Sequence, residues 1–291
     1  MKKLFITGTE SFVGKELIKQ IPSFYKVSGC DYIQPSNSEF LKADIRSKSI
    51  ADIIPENVNT IIHLAALSTD PQCKNMAYEC FDINVMGTLN LIKAAEERRC
   101  KQFILASSEW VYDNFTNNEE KKENSIINIA NLTSEYALSK LVSESNLRQK
   151  YLHGFCDTSI LRFGIIYGTR KDNWSAVESI FNTVKNNNEV TVGSMKTGRC
   201  FVHVSDIVNG IIKTIGLKGF NIINLEGNKL ITLGEIIEKS SNILGKNITT
   251  IEENPDNVSI RKVSSKKSKN IIGWEPEIEL DEGLRDLNKI L

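Results

Sequence analysis

Short apolar runs alternate with amphipathic stretches through the first two thirds of the chain, and this alternation limits the possible folds more than any other feature. Each apolar run is as short as a buried strand, and helical periodicity covers the segments between them. The runs are Lys3–Thr7, Val27–Asp31, Thr60–Leu64, Gln102–Ser107 and Ser159–Phe163, and the amphipathic stretches are Gly14–Gln20, Ala77–Arg98 and Tyr136–Tyr151. Strand, helix and strand at this spacing predict a doubly wound α/β domain around an open parallel sheet.

The pattern changes after Tyr167-Gly168. Helical periodicity returns at Val177–Asn186 and Leu233–Leu244, and a polar, lysine-rich stretch follows from Arg261 to Asn270. A chain of 291 residues has room for one large α/β domain or two closely coupled ones. We therefore expect a first domain from residues 1–168 plus about 201–230. A smaller, interleaved C-terminal α/β domain would take about 169–200 and 231–291.

Composition excludes several classes of function. Lys and Arg together number 36, as do Asp and Glu, so the formal net charge of +0 provides no basic field for nucleic acid or an anionic membrane. No apolar run is long enough to cross a bilayer, and the apolar run after Lys2-Lys3 is too short for a signal peptide. We therefore expect a cytoplasmic protein with no nucleic-acid or membrane partner.

Cysteine and histidine spacing argues against a metal site. The sequence has no CxxC pair and no metal-ligand spacing of histidines, which favours reduced thiols and no metal. The residues concerned are Cys30, Cys73, Cys80, Cys100, Cys156, Cys200, His63, His153 and His203.

A small-residue turn links the first strand to the first helix. Gly8 and Gly14 frame it, and Ser11 stands at the middle glycine position of a Gly-rich phosphate-binding turn. Asp31 lies 31 − 8 = 23 residues beyond Gly8, at the end of the second strand, where a carboxylate accepts hydrogen bonds from the ribose hydroxyls of a dinucleotide. The same carboxylate repels a 2′-phosphate, which favours NAD over NADP. The alternatives are a simple tight turn and a strand-capping aspartate.

A second candidate site lies on the helix that holds Tyr136 and Lys140. Their i, i+4 spacing places phenol and ammonium on one helix face, where the cation would favour the phenolate and let Tyr136 accept a proton from an alcohol. Ser107 and Ser108 follow a strand end, where binding residues collect in such sheets. A solvated helix face is the alternative for the Tyr-x-x-x-Lys pattern.

These residues resemble the extended short-chain dehydrogenase/reductase family, in its NAD-dependent nucleotide-sugar epimerase/dehydratase branch. The resemblance runs along nearly the whole chain and implies a Rossmann-type sheet with a substrate domain. The matching blocks are Thr7-Gly8 to Gly14, Asp44-Ile45, His63 to Ala66, Asn84 to Thr88, Ser107 to Tyr112, Tyr136 to Lys140, Leu161 to Gly168, Arg199 to Asp206 and Gly273 to Pro276.

The resemblance implies a set of NAD contacts in which the turn lines the pyrophosphate and later blocks reach the ribose, adenine and nicotinamide. The implied cofactor residues are Gly8, Ser11, Phe12, Val13, Gly14, Asp31, Asp44, Ile45, Leu64, Ala65, Ala66, Asn84, Ser107, Tyr136, Lys140, Phe163, Gly164 and Ile165. Asn84 has an equal alternative as a structural brace, and the matched histidines and Trp274 are interpreted as structural.

Ser108, Tyr136 and Lys140 would be the catalytic residues. The resemblance implies that Ser108 and Tyr136 share the reacting hydroxyl while a hydride passes to NAD, which leaves a keto-sugar whose reduction from the other face gives an epimer. Dehydratases of the branch have an Asp-Glu pair after the catalytic Ser or Thr, but here Glu109 and Trp110 follow Ser108. Trp110 cannot exchange a proton, so dehydration is disfavoured. Trp110 would either pack or form a sugar-stacking wall.

The expected substrate is a nucleotide-diphosphate sugar, and neither its base nor its sugar can be assigned from the residues. The substrate-binding candidates are Ser68, Ser108, Glu109, Trp110, Tyr136, Arg170, Arg199 and Arg261, of which Arg170 and Arg261 have the alternative of surface charges. Three hypotheses remain: an NAD-dependent epimerase, acting at C4 or at another sugar carbon, in a pathway such as polysaccharide assembly; a net dehydrogenase or keto-sugar reductase; and a non-catalytic dinucleotide-binding regulator. The helices Ala77–Arg98 and Tyr136–Tyr151 resemble the pair that forms a homodimer in relatives.

Overall fold

The computed structural model describes residues 1–112, 115 and 119–289. The strands are β1 (Lys2–Thr7), β2 (Tyr25–Asp31), β3 (Leu41–Lys42), β4 (Thr60–His63), β5 (Gln102–Ser108), β6 (Glu120–Lys121), β7 (Asp157–Phe163), β8 (Ile166–Tyr167), β9 (Glu189–Val192), β10 (Gly198–Arg199), β11 (Val202–His203), β12 (Phe220–Leu225), β13 (Ile231–Thr232), β14 (Thr249–Glu252) and β15 (Lys262–Val263).

The helices follow the same chain order. They are α1 (Phe12–Gln20), α2 (Asp70–Cys73), α3 (Ala77–Phe81), α4 (Gly87–Glu97), α5 (Glu135–Leu152), α6 (Ala176–Asn186), α7 (Val204–Thr214), α8 (Leu233–Leu244), α9 (Lys266–Ile272) and α10 (Leu280–Asn288). A π-helical segment, Asp82–Met86, joins α3 to α4, and short 3₁₀ turns occupy Ile50–Ile53, Glu109–Val111 and Ile129–Asn131.

The described residues divide into two compact units. The first takes its residues from 1–114, 123–162 and 208–223, and the second from 115–122, 163–207 and 224–291. The assignment of a cofactor domain and a substrate domain stays a prediction.

A seven-stranded parallel sheet in the order β12-β7-β5-β4-β1-β2-β3 organises the first unit, which confirms the doubly wound α/β fold class. Every residue of β4 and β5 is buried, as expected for central strands covered on both faces. The strand order reverses between β1 and β4, whose last residues, Thr7 and His63, are register partners. In open α/β sheets, ligands bind outside the carboxyl ends of the strands at such a switch point.

Aliphatic and aromatic side chains between the sheet and its helices form the core of the first unit. Phe5, Ile61 and Phe103, on three neighbouring strands, are fully buried together with Leu91 of α4 and Leu147 of α5. Burial of five such side chains contributes roughly 1.5–3 kcal/mol each to the free energy of unfolding. The carboxyl ends of the strands are thereby held on a rigid support.

The second unit has its own core between α6, α8 and α10. Phe181, Ile236 and Leu284, one from each helix, are fully buried in it. Trp274 is also fully buried, and its indole N–H donates to the Asp206 carbonyl at 2.8 Å, in agreement with the structural interpretation of this residue.

The predicted strands and helices agree with the structure to within a few residues, with one correction. The stretch Ala77–Arg98, predicted as one amphipathic segment, consists of α3, the π-helical segment and α4. No helix of the described residues is long and apolar enough to cross a membrane. Within the same residues, no group of three or more His, Cys, Asp or Glu side chains could hold a metal ion.

Candidate active site

The turn between β1 and α1 approaches its neighbours too closely for side chains at its two glycines. Gly8 has φ +79°, and a Cβ on it would lie 2.8 Å from the backbone nitrogen of Ala65. A Cβ on Gly14 would lie 2.1 Å from the Gly8 carbonyl oxygen. Both contacts are with backbone, which cannot move aside cheaply. The two glycines are therefore required by the shape of the turn itself, which leaves the first N–H groups of α1 accessible to a phosphate.

Ser11 replaces the middle glycine without strain. Its φ of −66° is ordinary for an L-residue. The Ser11 hydroxyl donates to the Gly8 carbonyl at 2.7 Å and accepts from the Gly14 N–H at 3.0 Å, so it ties the turn together and caps α1. This departure from the glycine pattern is thus compatible with the turn.

Asp31 and the segment after β4 complete the cofactor side of the first unit. Asp31, the last residue of β2, is 7% exposed and accepts hydrogen bonds from the Glu10 and Ile33 N–H groups at 2.9 and 3.3 Å. Ala65 donates its N–H to the Thr7 hydroxyl at 3.3 Å, which holds the predicted Leu64–Ala66 wall against the turn. A buried carboxylate, close backbone approach and a helix N-terminus on one sheet edge fit the ribose and pyrophosphate of NAD.

The predicted adenine contacts, Asp44 and Ile45, have structural partners. The Asp44 carboxylate binds Arg46, with the shortest distance 2.6 Å, and this hydrogen bonding is the main cause of a lowered Asp44 pKa. The Ile45 side chain belongs to the core, where the absence of a side chain on Gly87 leaves room for it. Their contact with adenine stays a prediction.

His63 is a neutral structural residue behind the wall. Its Nδ1 and Nε2 lie 2.9 Å from the hydroxyl oxygens of Thr7 and Thr88. The Thr88 hydroxyl donates to the Asn84 carbonyl at 2.6 Å, so Nε2 of His63 is the donor to Thr88 and Nδ1 accepts from Thr7. Burial, followed by the charge of Lys140, lowers the His63 pKa to about 3.

Asn84 braces three segments from within the π-helical turn. Its amide oxygen accepts from the Leu67 N–H at 2.8 Å, and its amide nitrogen donates to the Leu67 carbonyl and the Ser139 hydroxyl at 3.0 and 2.9 Å. The geometry supports the brace alternative, and a direct cofactor contact of Asn84 stays a prediction.

The structure brings Ser108, Tyr136 and Lys140 together in the first unit. Ser108 ends β5, and Tyr136 and Lys140 lie on the inner face of α5, which begins where Ser134 accepts from the Ala137 N–H at 3.3 Å. The Ser108 hydroxyl lies close enough to the Tyr136 phenol to lower its pKa, and it accepts from the Trp110 N–H at 3.3 Å. The Lys140 ammonium donates to the Ala106 carbonyl at 2.9 Å and lies 5.9 Å from the Tyr136 ring centre.

Burial raises the Tyr136 pKa to about 12, and the Ser108 hydroxyl offsets only part of that rise. Burial also lowers the Lys140 pKa to about 8. At neutral pH, Tyr136 is thus a neutral phenol and Lys140 carries a positive charge that desolvation makes easy to lose. The role of Tyr136 as a proton acceptor assisted by Lys140 stays a prediction.

Ser107, one residue earlier, is engaged elsewhere. Its hydroxyl donates to the Glu144 carboxylate at 2.5 Å, and Arg162 pairs with both oxygens of that carboxylate at 3.0 and 2.6 Å. Glu144 and Arg162 are 4% and 3% exposed. In the structure, the Ser107 hydroxyl donates its hydrogen bond to Glu144. A contact of Ser107 with the nicotinamide half of NAD stays a prediction.

The residues after Ser108 differ in burial. The Glu109 side chain is buried, whereas Trp110 is partly buried and packs against a small cluster of Cys73, Cys80 and Tyr136. Trp110 therefore has the packing contact that the sequence offered as one of its two alternatives.

Ser68, another substrate candidate, is exposed, and its N–H donates to Gln72 at 3.0 Å.

The second unit contains the remaining candidates. Arg170 pairs with the buried Glu178 carboxylate at 2.8 Å, which gives it an internal structural partner. Arg199 donates to the Ser259 carbonyl at 2.6 Å, and the Arg261 N–H donates to the Gly198 carbonyl at 3.2 Å, so these two arginines share one strand region.

The segment Phe163–Ile165, expected to cover the nicotinamide, also belongs to the second unit. Phe163 is buried, and a Cβ on Gly164 would lie 2.1 Å from a carboxylate oxygen of the buried Glu226. The Ile165 carbonyl accepts from Val202 at 3.1 Å. The cofactor role of this segment stays a prediction.

Sequence reasoning missed Glu144 and Glu10. Glu144 follows Lys140 by four residues, so the same i, i+4 spacing that placed Tyr136 and Lys140 on one helix face also predicts Glu144 there. Glu10, inside the turn itself, has no such signal, because its partners Ser36 and Asp31 are distant in sequence.

Known proteins that resemble this chain agree in family and fold. The model of the NAD dependent epimerase/dehydratase family matches residues 4–225. A Methanocaldococcus jannaschii protein, described provisionally as a UDP-glucose 4-epimerase, is 29% identical and the match covers 97% of this chain and 96% of that protein. The dTDP-4-dehydro-6-deoxyglucose reductase of Escherichia coli is 27% identical, with 98% and 96% covered. The solved structure of MoeE5 with UDP-glucose and NAD superposes with a TM-score of 0.87 at 22% identity, covering 99% and 97%.

Proposed function

Because this chain belongs to the NAD dependent epimerase/dehydratase family, we propose that it is a nucleotide-sugar epimerase that acts through a keto-sugar intermediate, with C4 as the reacting carbon. The observation that carries the proposal is the placement of the Ser108 hydroxyl, at the end of β5, next to the Tyr136 phenol, with Lys140 on the next turn of the Tyr136 helix. The similarity to a protein described as a UDP-glucose 4-epimerase supports the choice of reaction and of carbon.

In this proposal, the first unit holds NAD at the edge formed by the carboxyl ends of β1, β2 and β4. Gly8, Ser11 and Gly14 form the pyrophosphate turn, Asp31 binds the ribose, and Ala65 closes the wall. NAD, when bound there, would supply a reversible hydride acceptor for the reacting sugar carbon. No metal is required by this chemistry.

The chain's own residues move the proton. Ser108 and Tyr136 bind the sugar hydroxyl, and Tyr136 takes its proton when the carbonyl forms and returns it when the alcohol is restored. The phenol must first lose its own proton to solvent, before the sugar binds, and burial opposes this in the protein alone. A charged Lys140 near the ring would stabilise the resulting phenolate. Burial keeps water from competing for the proton.

Dehydration is disfavoured because elimination of water needs a second acid and base beside the first. Trp110, at one of the two relevant positions, has no exchangeable proton of suitable pKa and packs next to Tyr136. A net reductase or dehydrogenase with the same three catalytic residues is the second candidate, and the similarity to a dTDP-4-dehydro-6-deoxyglucose reductase favours it over the others. A non-catalytic regulator would not need Ser108, Tyr136 and Lys140 to lie together.

The nucleotide diphosphate would be bound by the second unit. Arg199 and Arg261, which share one strand region, are the strongest candidates, because guanidinium groups bind phosphate in two-pronged fashion. Arg170 is weaker, since its charge is balanced by Glu178. Charge-neutral variants of Arg199 and Arg261 should raise the KM for the nucleotide sugar more than they lower kcat.

We also propose a homodimer through the face that includes α4 and α5. Met76, Tyr78 and Met86, at the start of this helical region, are 45%, 80% and 55% exposed, which is unusual for large apolar side chains so close together in sequence. Sedimentation should give twice the chain mass of 32.7 kDa. A monomer at working concentration would contradict the proposal.

Proton NMR of the protein with trace NAD and a panel of UDP- and dTDP-hexoses tests the function directly. An epimerase gives a second set of anomeric signals while reduced nicotinamide stays at trace level. A dehydrogenase or reductase instead converts cofactor in step with sugar. No change in any sugar of the panel, with NAD bound, would favour the regulator.

Tyr136→Phe is the decisive variant, with Tyr25→Phe as the matched control because Tyr25 begins β2, at the opposite end of that strand from Asp31. Loss of the phenolic hydroxyl should lower kcat by about 10²–10⁴-fold, the usual contribution of a positioned acid or base, and leave NAD affinity unchanged. The control should retain full turnover. Normal turnover by Tyr136→Phe would overturn the catalytic assignment.

A further inference from the structure

Glu10 places a fixed negative charge inside the small-residue turn. One of its carboxylate oxygens accepts from the Ser36 N–H and hydroxyl at 2.8 and 2.9 Å, and the other lies 3.0 Å from the Lys15 ammonium. The Glu10 side chain is only 7% exposed. Burial alone would raise its pKa, but the bonds from Ser36 and Lys15 outweigh burial, so the pKa lies below its ordinary value. Glu10 is therefore ionised, and Ser36 and Lys15 hold its carboxylate.

The same residue is joined to the ribose carboxylate through its backbone. The Glu10 N–H donates to Asp31 at 2.9 Å, and Asp31 also accepts from Ile33, two residues further along the chain. Ser36 then bonds back to the Glu10 side chain. The turn and the segment 31–36 thus form one closed corner that contains two carboxylates.

A cleft of about 270 Å³ opens beside this corner, and positively charged side chains line it as well. Lys15 and Lys19 line it together with Ser36 and Asn37, a set that would suit a phosphate if Glu10 were absent. The Glu10 carboxylate also lines the cleft and forms an ion pair with the Lys15 ammonium. Lys19 pairs with Glu16 at 3.2 Å. Both lysines of the cleft are therefore paired with carboxylates, and Glu10 neutralises the one nearer the turn.

We propose that Glu10 is a second selectivity residue for the dinucleotide and that, together with Asp31, it excludes a cofactor with a 2′-phosphate. A phosphate monoester carries close to two negative charges at neutral pH. The two carboxylates would therefore repel it and weaken its binding. NAD has only a hydroxyl there. The inference rests on NAD binding and not on the reaction that the enzyme catalyses.

Binding of NAD and NADP to the protein without sugar tests the proposal by calorimetry. Glu10→Gln removes the charge while its amide oxygen still accepts from Ser36, and Glu39→Gln, at an exposed position of the following segment, makes the same change in net charge. We expect Glu10→Gln to lower the Kd for NADP by about tenfold, with the Kd for NAD within about twofold. Glu39→Gln should change neither Kd by more than about twofold.

A second substitution tests whether Lys15, which pairs with Glu10 in the wild type, becomes available to the 2′-phosphate in Glu10→Gln. Adding Lys15→Met to Glu10→Gln should cancel most of the gain in NADP affinity if Lys15 becomes available to the phosphate. An unchanged Kd for NADP in folded Glu10→Gln would overturn the proposal. An equal weakening of both dinucleotides would do so too, because it would show that Glu10 only holds the segment 31–36 in place.

The wild-type protein supplies a test that needs no variant. Added salt screens repulsion between the two carboxylates and a 2′-phosphate, so the ratio of the NADP Kd to the NAD Kd should fall as ionic strength rises. A ratio that rises with salt, or does not change, would mean that no net repulsion acts at this corner.

Discussion

The hydroxyl of Ser107 donates to the carboxylate of Glu144 at 2.5 Å, on the strand residue next to the candidate catalytic Ser108. Successive side chains of a strand point to opposite faces of the sheet, so adjacent serines have different surroundings. Ser108 lies next to Tyr136, whereas Ser107 is bound to the buried Glu144–Arg162 ion pair. Both serines therefore meet α5, Ser107 through a structural bond to Glu144 and Ser108 next to the candidate catalytic Tyr136.

Removing one partner of the Glu144–Arg162 pair should lower the free energy of unfolding more than replacing both partners with apolar residues does. Both side chains are almost fully buried and lie 2.6 Å apart at the closest atoms. Arg162→Met alone leaves a buried carboxylate without its cation, and we expect the free energy of unfolding to fall by about 3–5 kcal/mol. Glu144→Leu combined with Arg162→Met removes both charges and should recover at least about half of that loss. Urea unfolding measures the free energy of unfolding of Arg162→Met, Glu144→Leu and the double variant. The interpretation would be refuted if the loss in the double variant equalled the sum of the two single losses.

Gly14→Ala should weaken NAD binding far more than its small size suggests. The added Cβ would lie 2.1 Å from the Gly8 carbonyl oxygen, so the turn must open. Backbone N–H groups would then lose their position toward the pyrophosphate, and we expect the Kd for NAD to rise at least about tenfold. Gly193→Ala is the matched control, because a Cβ there meets nothing within 4 Å and its φ is not positive. Calorimetric titration with NAD gives both values, and equal affinities for the two variants would contradict the requirement for glycine.

Local sequence signals predicted the parts of the site that depend on periodicity. Strand runs predicted where β1 and β5 end, and helical spacing predicted that Tyr136 and Lys140 share a face. These signals are sufficient because the side-chain direction in a strand or helix follows from the residue number alone. The fold class followed from the same periodicity.

Features that depend on contacts between distant segments were not predictable in this way. The bonds of Glu10 to Ser36 and of Ser107 to Glu144 join residues 26 and 37 positions apart. The raised pKa of Tyr136 follows mainly from its burial, which the spacing of residues along a helix does not report. The pairing of Arg170 with Glu178 likewise needs the local fold of the second unit, because an arginine after Tyr167-Gly168 looks the same in sequence whether it is paired or available.

His63 should make the protein less stable in acid. Its pKa is about 3 in the folded chain and about 6.5 when unfolded, so between these values the unfolded state binds more protons. The contribution to stability is thus complete above about pH 6.5 and is lost as the pH falls toward 3. His63→Gln keeps a polar group but cannot titrate. The Tm of the wild type minus that of the variant should therefore decrease as the pH falls from 7 to 5, by roughly 2–4 °C per pH unit below 6.5. A constant difference would show that His63 does not stay neutral.

Lys140 should produce a stability change of the same sign in the alkaline range. Burial lowers its pKa to about 8, against an ordinary value of 10.5, so between these values the unfolded state again holds more protons than the folded state. The free energy of unfolding should therefore rise with pH across that interval, by up to about 1.4 kcal/mol per pH unit. Lys140→Met removes the titration.

The Tm of the wild type minus that of Lys140→Met should increase between pH 8 and 10, and the comparison isolates Lys140 from other groups that titrate in the same range. Lys93→Met is the matched control, because the Lys93 side chain is 76% exposed and its pairing with Glu97 at 3.8 Å is weak. The wild type minus this control should show no such trend. A flat profile for Lys140→Met as well would mean that the ammonium keeps its proton at pH 10. Lys140 would then be a permanent cation beside Tyr136, and the phenolate would be easier to form than burial alone implies.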